Sequence, residues 1–111
     1  EAQKHSLRQQ FLDFGYQVAT QLHQMGYLAE VFDPRTGLPL LSQPGPLTLD
    51  DVALVRFCLG YETTHSCGCD VILHPTWGSA AYPSTLLSSA QPEVVERVSQ
   101  EVRLKQVQGC V

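Results

Sequence analysis

A chain of 111 residues is long enough for one domain whose core removes roughly two thirds of the unfolded surface from water. Its composition, 43% apolar and 16% charged, excludes a disordered polymer, and a net charge of −4 gives no global attraction for a nucleic-acid backbone or an anionic lipid surface. No apolar run approaches the roughly 18 residues of a membrane span and no basic-then-apolar leader opens the chain, so neither nucleic acid nor a membrane is an expected partner. The four cysteines do not form a dense disulfide framework, and Cys67 and Cys69 are poor partners for each other in an extended strand. They read as reduced thiols in an intracellular compartment. The opening at Glu1, without an initiator methionine and already close to a helical pattern, reads as a processed protein or a piece of a larger domain.

The first element is an amphipathic helix. Leu7, Phe11, Phe14, Val18, Leu22 and Met25 recur every three or four residues and form one apolar stripe over about five turns. Glutamines and Asp13 occupy the other side, and Gly26 is the stop. His5 and His23 have no neighbouring ligand at metal-binding spacing and read as solvated. Tyr27 to Phe32 has strand composition and ends in Asp33-Pro34-Arg35-Thr36-Gly37, where Asp33 can accept from the amides ahead of it and Gly37 permits positive φ. A hairpin return through Leu38 to Leu41 follows, then a Pro/Gly loop over residues 42–46. Thr48 at or near the cap, with Asp50 and Asp51 behind it, starts a short, mostly buried helix ending at Gly60, with Cys58 a small buried apolar residue, and a strand is the competing reading because the run is rich in valine and contains Phe57. Val71 to Leu73 reads as a buried strand and residues 79–87 as a second, punctuated by Pro75, Gly78 and Pro83. Pro92 opens a final helix with Val94, Val95, Val98 and Val102 on one stripe. The fold class is α+β, with long amphipathic helices on a small antiparallel sheet.

The chemistry is concentrated between His65 and Gly78, a stretch that holds two of the four cysteines, two of the four histidines and the sole tryptophan. If the chain is extended there, Cys67, Cys69 and His65 share a face, because strand side chains alternate. Four readings compete. Zinc on His65, Cys67, Cys69 and His74 has suitable ligand types but a Cys-x-Cys spacing tighter than usual. A cysteine nucleophile activated by His65 or His74 is a second reading, without a surrounding acyl-enzyme signature. A third has the thiols in the core and Trp77 capping the strand. The fourth is thiolate coordination of a softer metal centre.

Residue order adds to this. Gly26-Tyr27-x-Ala29-Glu30-x-x-Asp33-Pro34-x-x-Gly37-Leu38, then Leu59-Gly60, then Cys69-x-Val71-Ile72-x-His74-x-x-Trp77-Gly78, resembles the C-terminal domain of the methylmalonic aciduria and homocystinuria type D (CblD) family, most strongly over residues 11–92. The resemblance implies a single CblD-like domain with a modified nitroreductase-like fold that has lost flavin binding and catalysis. It implies a non-enzymatic adaptor, mitochondrial or cytosolic, with another organelle such as a plastid open. Such an adaptor accepts cobalamin transiently from a CblC-type chaperone through a cysteine thiolate on cobalt and helps route it towards methionine synthase and methylmalonyl-CoA mutase. Cys67 and Cys69 are then the candidate cobalt thiolates, with His65 and His74 beside them, while Asp33, Pro34, Gly37, Trp77 and Gly78 belong to the scaffold.

The chain departs from the family pattern in two places. Where the animal proteins have adjacent cysteines it has Cys67-Gly68-Cys69, so that Cys69 matches the second and Gly68 stands where the first, expected on cobalt, belongs. The chain also starts at the long helix, which leaves a nitroreductase-like sheet incomplete and apolar surface to be covered. The competing reading is therefore a CblD-like domain serving as an interaction subunit of a larger assembly.

Overall fold

The computed structural model describes residues 2–66 and 68–109. Among the described residues three helices and two separate two-stranded antiparallel sheets make an α+β fold. The sheet expected as one unit is thus divided.

Helix α1 (Ala2–Gln24) follows its apolar stripe. Val18 and Leu22 are fully buried and Phe11 and Phe14 pack partly against them, whereas Leu7 and Met25, at the ends of the stripe, run past the core and are exposed. The helix stops where glycine was expected to stop it: the Tyr27 amide donates to the Leu22 carbonyl and the Gly26 amide to that of His23, a Schellman closure around Gly26.

Strand β1 (Ala29–Phe32) follows. The Asp33-Pro34-Arg35-Thr36-Gly37 turn behaves as its chemistry requires, with the Gly37 amide donating to the Asp33 carbonyl at 2.7 Å and the Arg35 amide to Asp33 Oδ1 at 2.9 Å. Gly37 has φ +71, and a Cβ there would collide with the Leu49 carbonyl oxygen, so both backbone shape and space demand glycine. The expected return strand shrinks to one bridge, Phe32 to Pro39, flanked by the bonds Leu40 N–H to Val31 and Asp33 N–H to Leu38. Pro39 has no N–H to extend the ladder.

The main partner of β1 lies far along the chain. Strand β4 (Thr85–Ser88) pairs with it antiparallel, Val31 opposite Leu86. Strand structure expected from residue 79 begins only at Thr85; residues 79–84 are turn and irregular chain.

Helix α2 (Asp51–Leu59) is capped by Asp50, whose Oδ1 accepts from the Ala53 amide at 3.1 Å, and ends at Gly60. It is much less buried than expected. Phe57 is 90% and Leu59 60% exposed, and Cys58 is exposed as well. A short helix lying on one hairpin has one covered side, and these three residues fall outside it.

Strands β2 (Glu62–Ser66) and β3 (Cys69–Leu73) form a hairpin. β2 was not legible, because Glu62-Thr63-Thr64-His65 has no apolar alternation. Within β3, Ile72 is buried under α2, while Val71 and Leu73 are only half-buried.

Helix α3 (Pro92–Gly109) packs along α1 through buried Val98 and Val102. Val18, Ala19, Leu22, Ala29, Val31, Val98 and Val102 form the core cluster, joining both long helices to β1. The β2–β3 hairpin stands outside that cluster.

Candidate functional site: the β2–β3 hairpin

The register of the hairpin decides which side chains can cooperate. Ser66 pairs with Cys69 and His65 with Asp70, and Gly68 lies in the turn before β3. Cross-strand partners share a face and neighbours along a strand alternate. Cys69, Val71 and Leu73 therefore lie on one face, and His65, Asp70, Ile72 and His74 on the other. The shared face for His65 and Cys69 expected of an extended chain does not form, because the chain reverses between them. Cys67 lies outside the described residues.

Cys69 is exposed, so the reading of core thiols fails for it. His65 Nδ1 lies 3.1 Å from Asp70 Oδ1, a pair in which both side chains are more than 60% exposed and which contributes little to stability. His74 sits four residues beyond Asp70, on the order of 13 Å along the strand. Among the described residues no group of three His, Cys, Asp or Glu side chains converges to hold a metal ion. Among the described residues, His65 and Cys69 thus lie on opposite faces and His74 lies far along the strand, while Cys67, which the zinc and nucleophile readings also used, is outside the described residues.

Gly68 follows in the loop with φ +80, a region that costs an ordinary L-residue about 1 kcal/mol. Its open surroundings show that backbone conformation, rather than space, makes glycine the natural residue there.

His74 holds a turn together. Its Nδ1 accepts from the Thr76 amide at 3.0 Å and the Trp77 amide at 3.2 Å, and its ring stacks on Trp77 and meets the Tyr61 ring edge-on. His74 and Gly78 exchange backbone hydrogen bonds of 2.9 Å, closing the turn. Trp77 remains 65% exposed, so it covers His74 rather than joining the core.

The Asp-Pro-x-x-Gly turn is tied to α1. Arg8 Nε donates to Asp33 Oδ1 at 2.7 Å and Nη2 to Oδ2 at 2.6 Å, a bidentate pair with both side chains over four-fifths buried. Hydrogen bonding from Arg8 holds the Asp33 carboxyl below its ordinary range against the opposing effect of burial. Pro34 and Gly37 line a cavity of about 420 Å³ between this turn, the start of α2, β3 and Tyr82. Asp51 faces the same region, buried, with Oδ1 accepting from the Thr85 hydroxyl. Burial pushes the Asp51 carboxyl up, opposed by the Thr85 bond and reinforced by the charges of Asp50 and Asp33, and burial also raises the Tyr82 phenol. Arg8, Tyr61 and Asp51 were not singled out as site residues; each acquires its role from a partner distant in sequence or from burial.

A scan against protein families matches the methylmalonic aciduria and homocystinuria type D protein family over residues 1–99. The chain belongs to that family. A search of curated proteins returned no match. The CblD family is associated with cobalamin trafficking rather than with catalysis. The family match covers the stapled turn at Asp33, Pro34 and Gly37, the hairpin with Cys69, and the closed turn at His74, Trp77 and Gly78. Among the described residues no helix is long and apolar enough to cross a membrane.

Proposed function

We propose that this CblD-family chain is a non-catalytic cobalamin-trafficking adaptor, and that the hairpin tip is where it meets its cargo. The exposed Cys69 thiol at the start of β3 carries the reading. A thiolate is a soft ligand suited to cobalt, and at the exposed start of β3 it can approach a metal held by another protein without the adaptor enclosing the corrin ring. Cys67, its neighbour across Gly68, is the second candidate thiolate. His65 and His74 take supporting parts: His65 pairs with Asp70 at the tip, and His74 anchors the far end of β3. The domain is read as a modified nitroreductase-like fold without flavin, acting inside the cell, where its thiols stay reduced.

The partner that presents the cobalt is a CblC-type chaperone. The test is an absorption titration of the full chain with chaperone-bound cob(II)alamin. The expected result is a spectral change that disappears when Cys67 and Cys69 are both replaced by serine and persists when Cys58 is replaced. A spectrum indifferent to both tip cysteines sinks the thiolate assignment.

One observation favours a second reading, an interaction subunit of a larger assembly. Leu28, Phe57 and Leu59 are exposed at 76%, 90% and 60%, apolar side chains that a partner chain would cover. Stable co-purification of the chain in a large complex, together with no cysteine-dependent spectral change, favours that reading instead.

A further inference from the structure

The face of the β1–β4 sheet turned away from the helices holds a carboxylate that is only half satisfied. Glu30 and Leu87 are cross-strand partners and share this face, while Ala29 and Val31 on either side of Glu30 point into the core. The ladder runs one pair further: the Ser89 amide donates to the Leu28 carbonyl at 3.0 Å and the Leu28 amide to Ser89 Oγ at 2.9 Å, which puts Leu28 on the same face. Glu30 is nonetheless buried. Its Oε2 accepts from the Val31 amide at 3.0 Å and from the Leu41 amide at 2.8 Å. Oε1 is buried and meets no donor among the described residues; the Ser42 hydroxyl stands nearby, outside hydrogen-bond geometry with it. Burial raises the Glu30 carboxyl, but the Ser42 hydroxyl and the amides of Leu41, Val31 and Leu40 outweigh burial and hold it below its ordinary range, so the group is charged at neutral pH. A charged oxygen withdrawn from water without a donor is a cost that an incoming donor removes.

Glu30 lines a cavity of about 450 Å³ together with His23, Leu28, Ser42, Leu87 and Ser89. Its charge sets the sign of what fits: Glu30 is the sole carboxylate in the lining among the described residues, no Lys or Arg lines it, and His23 Nε2 is engaged with the Ala29 carbonyl at 2.9 Å. The serine hydroxyls add further acceptors, which suit the several donors of a planar guanidinium better than the compact charge of an ammonium. Leu28 and Leu87, 76% and 61% exposed, stand at diagonal positions of the ladder and give the mouth apolar walls. We infer that this cavity takes an arginine side chain presented by a partner protein, with the guanidinium on Glu30 and the aliphatic stem between Leu28 and Leu87. A free cation would leave both leucines in water, whereas the stem and its flanking residues cover them. The net charge of −4 draws a basic partner surface in the same direction. Ser42 lies on the exposed Pro/Gly loop, so its side chain turns aside as the guanidinium reaches Oε1. The inference stands apart from the tip thiols and from cobalt.

The test titrates the full isotope-labelled chain, without cobalamin or chaperone, with the peptide acetyl-Leu-Arg-Leu-amide and follows the backbone amides by NMR. Saturable shifts are expected at Val31, Leu41, Leu87 and Ser89. Replacing the arginine of the peptide by citrulline, its uncharged isostere, should weaken binding by roughly tenfold or more. Glu30→Gln keeps an acceptor for the two amides but not the charge, and should weaken binding by the same factor. Leu87→Ser changes an exposed wall without touching Glu30 and should weaken it severalfold, which keeps the test decisive if Glu30→Gln fails to fold. Equal binding of the arginine and citrulline peptides, shifts confined to other parts of the chain, or no saturable shift overturns the assignment. Agmatine, a free guanidinium on a comparable stem, binding as tightly as the peptide overturns the protein partner in favour of a small cationic ligand.

Discussion

The imidazole of His74 lies against the indole of Trp77 with ring centroids 4.1 Å apart and planes 13° from parallel, while its Nδ1 accepts the amide of the same residue. This contact makes a closed turn out of a segment with little core to hold it. His74→Ala removes the stacking surface and the acceptor of two amides that solvent can partly satisfy, at an expected cost of about 1 kcal/mol. Trp77 is the sole tryptophan, so its fluorescence reports the turn directly. His74→Phe should preserve the stack and hence most of the emission, yet still lose stability. Equal emission from wild type and His74→Ala would contradict the stacked arrangement.

Acid should loosen the tie between α1 and the Asp33 turn. Arg8 depresses the Asp33 carboxyl in the folded chain, so its contribution is present above the ordinary value of 3.8 and is lost as pH falls through the lower folded value. Glu30 acts in the same sense: burial raises it, but the nearby Ser42 hydroxyl and the amides of Leu41, Val31 and Leu40 outweigh that and hold it low. Urea midpoints measured downwards from pH 5 should therefore decline for the wild type. Asp33→Asn should be less stable at pH 7 and should flatten the acid decline, and an unchanged slope in that variant would refute the assignment.

Asp51 is expected to show the opposite sign. Its folded carboxyl is raised, so the folded chain binds the proton more readily than the unfolded one and the penalty of its charge fades as pH falls through the raised value. Asp51→Asn keeps an acceptor for the Thr85 hydroxyl while removing a buried charge. It should raise the unfolding free energy at neutral pH by up to about 1 kcal/mol after the lost helix-dipole interaction is subtracted, and the gain should shrink towards pH 4. A gain independent of pH would point to packing instead.

Gly68 permits a direct comparison of backbone and chemistry. Gly68→Cys restores the adjacent cysteines of the family pattern but forces a side chain into φ +80, and Gly68→Ala does the same without the thiol. Both should lose about 1 kcal/mol in equilibrium unfolding. If the cysteine variant alone were undisturbed, the hairpin would have to have changed its loop.

The resemblance of Asp33-Pro34-x-x-Gly37 and Val71-Ile72-x-His74-x-x-Trp77-Gly78 to the CblD family was visible from residue order alone, and the family match bears it out. Much local structure was equally legible. The stripe of α1, the valines of α3, the turn at Asp33 and the stops at Gly26 and Gly60 depend on neighbours within a few residues, so periodicity, caps and turn chemistry carry them. Asp50 replacing Thr48 as the cap is a shift of two residues within the same logic.

Interactions between distant parts of the chain were a different matter. That β1 pairs with Thr85–Ser88 rather than chiefly with its own return strand, that Arg8 reaches Asp33, and that Asp51 is buried beneath Thr85 depend on partners 25 to 59 residues apart, which no local pattern encodes. The candidate site divides in the same way. The sequence by itself determined that thiols, imidazoles and an indole crowd one stretch, because that is a matter of order. Only the tertiary structure decided that this stretch bends into a hairpin, because cross-strand pairing between Ser66 and Cys69 sets the face of every side chain around it. That pairing separates His65 from Cys69 and leaves the Cys69 thiol exposed at the tip.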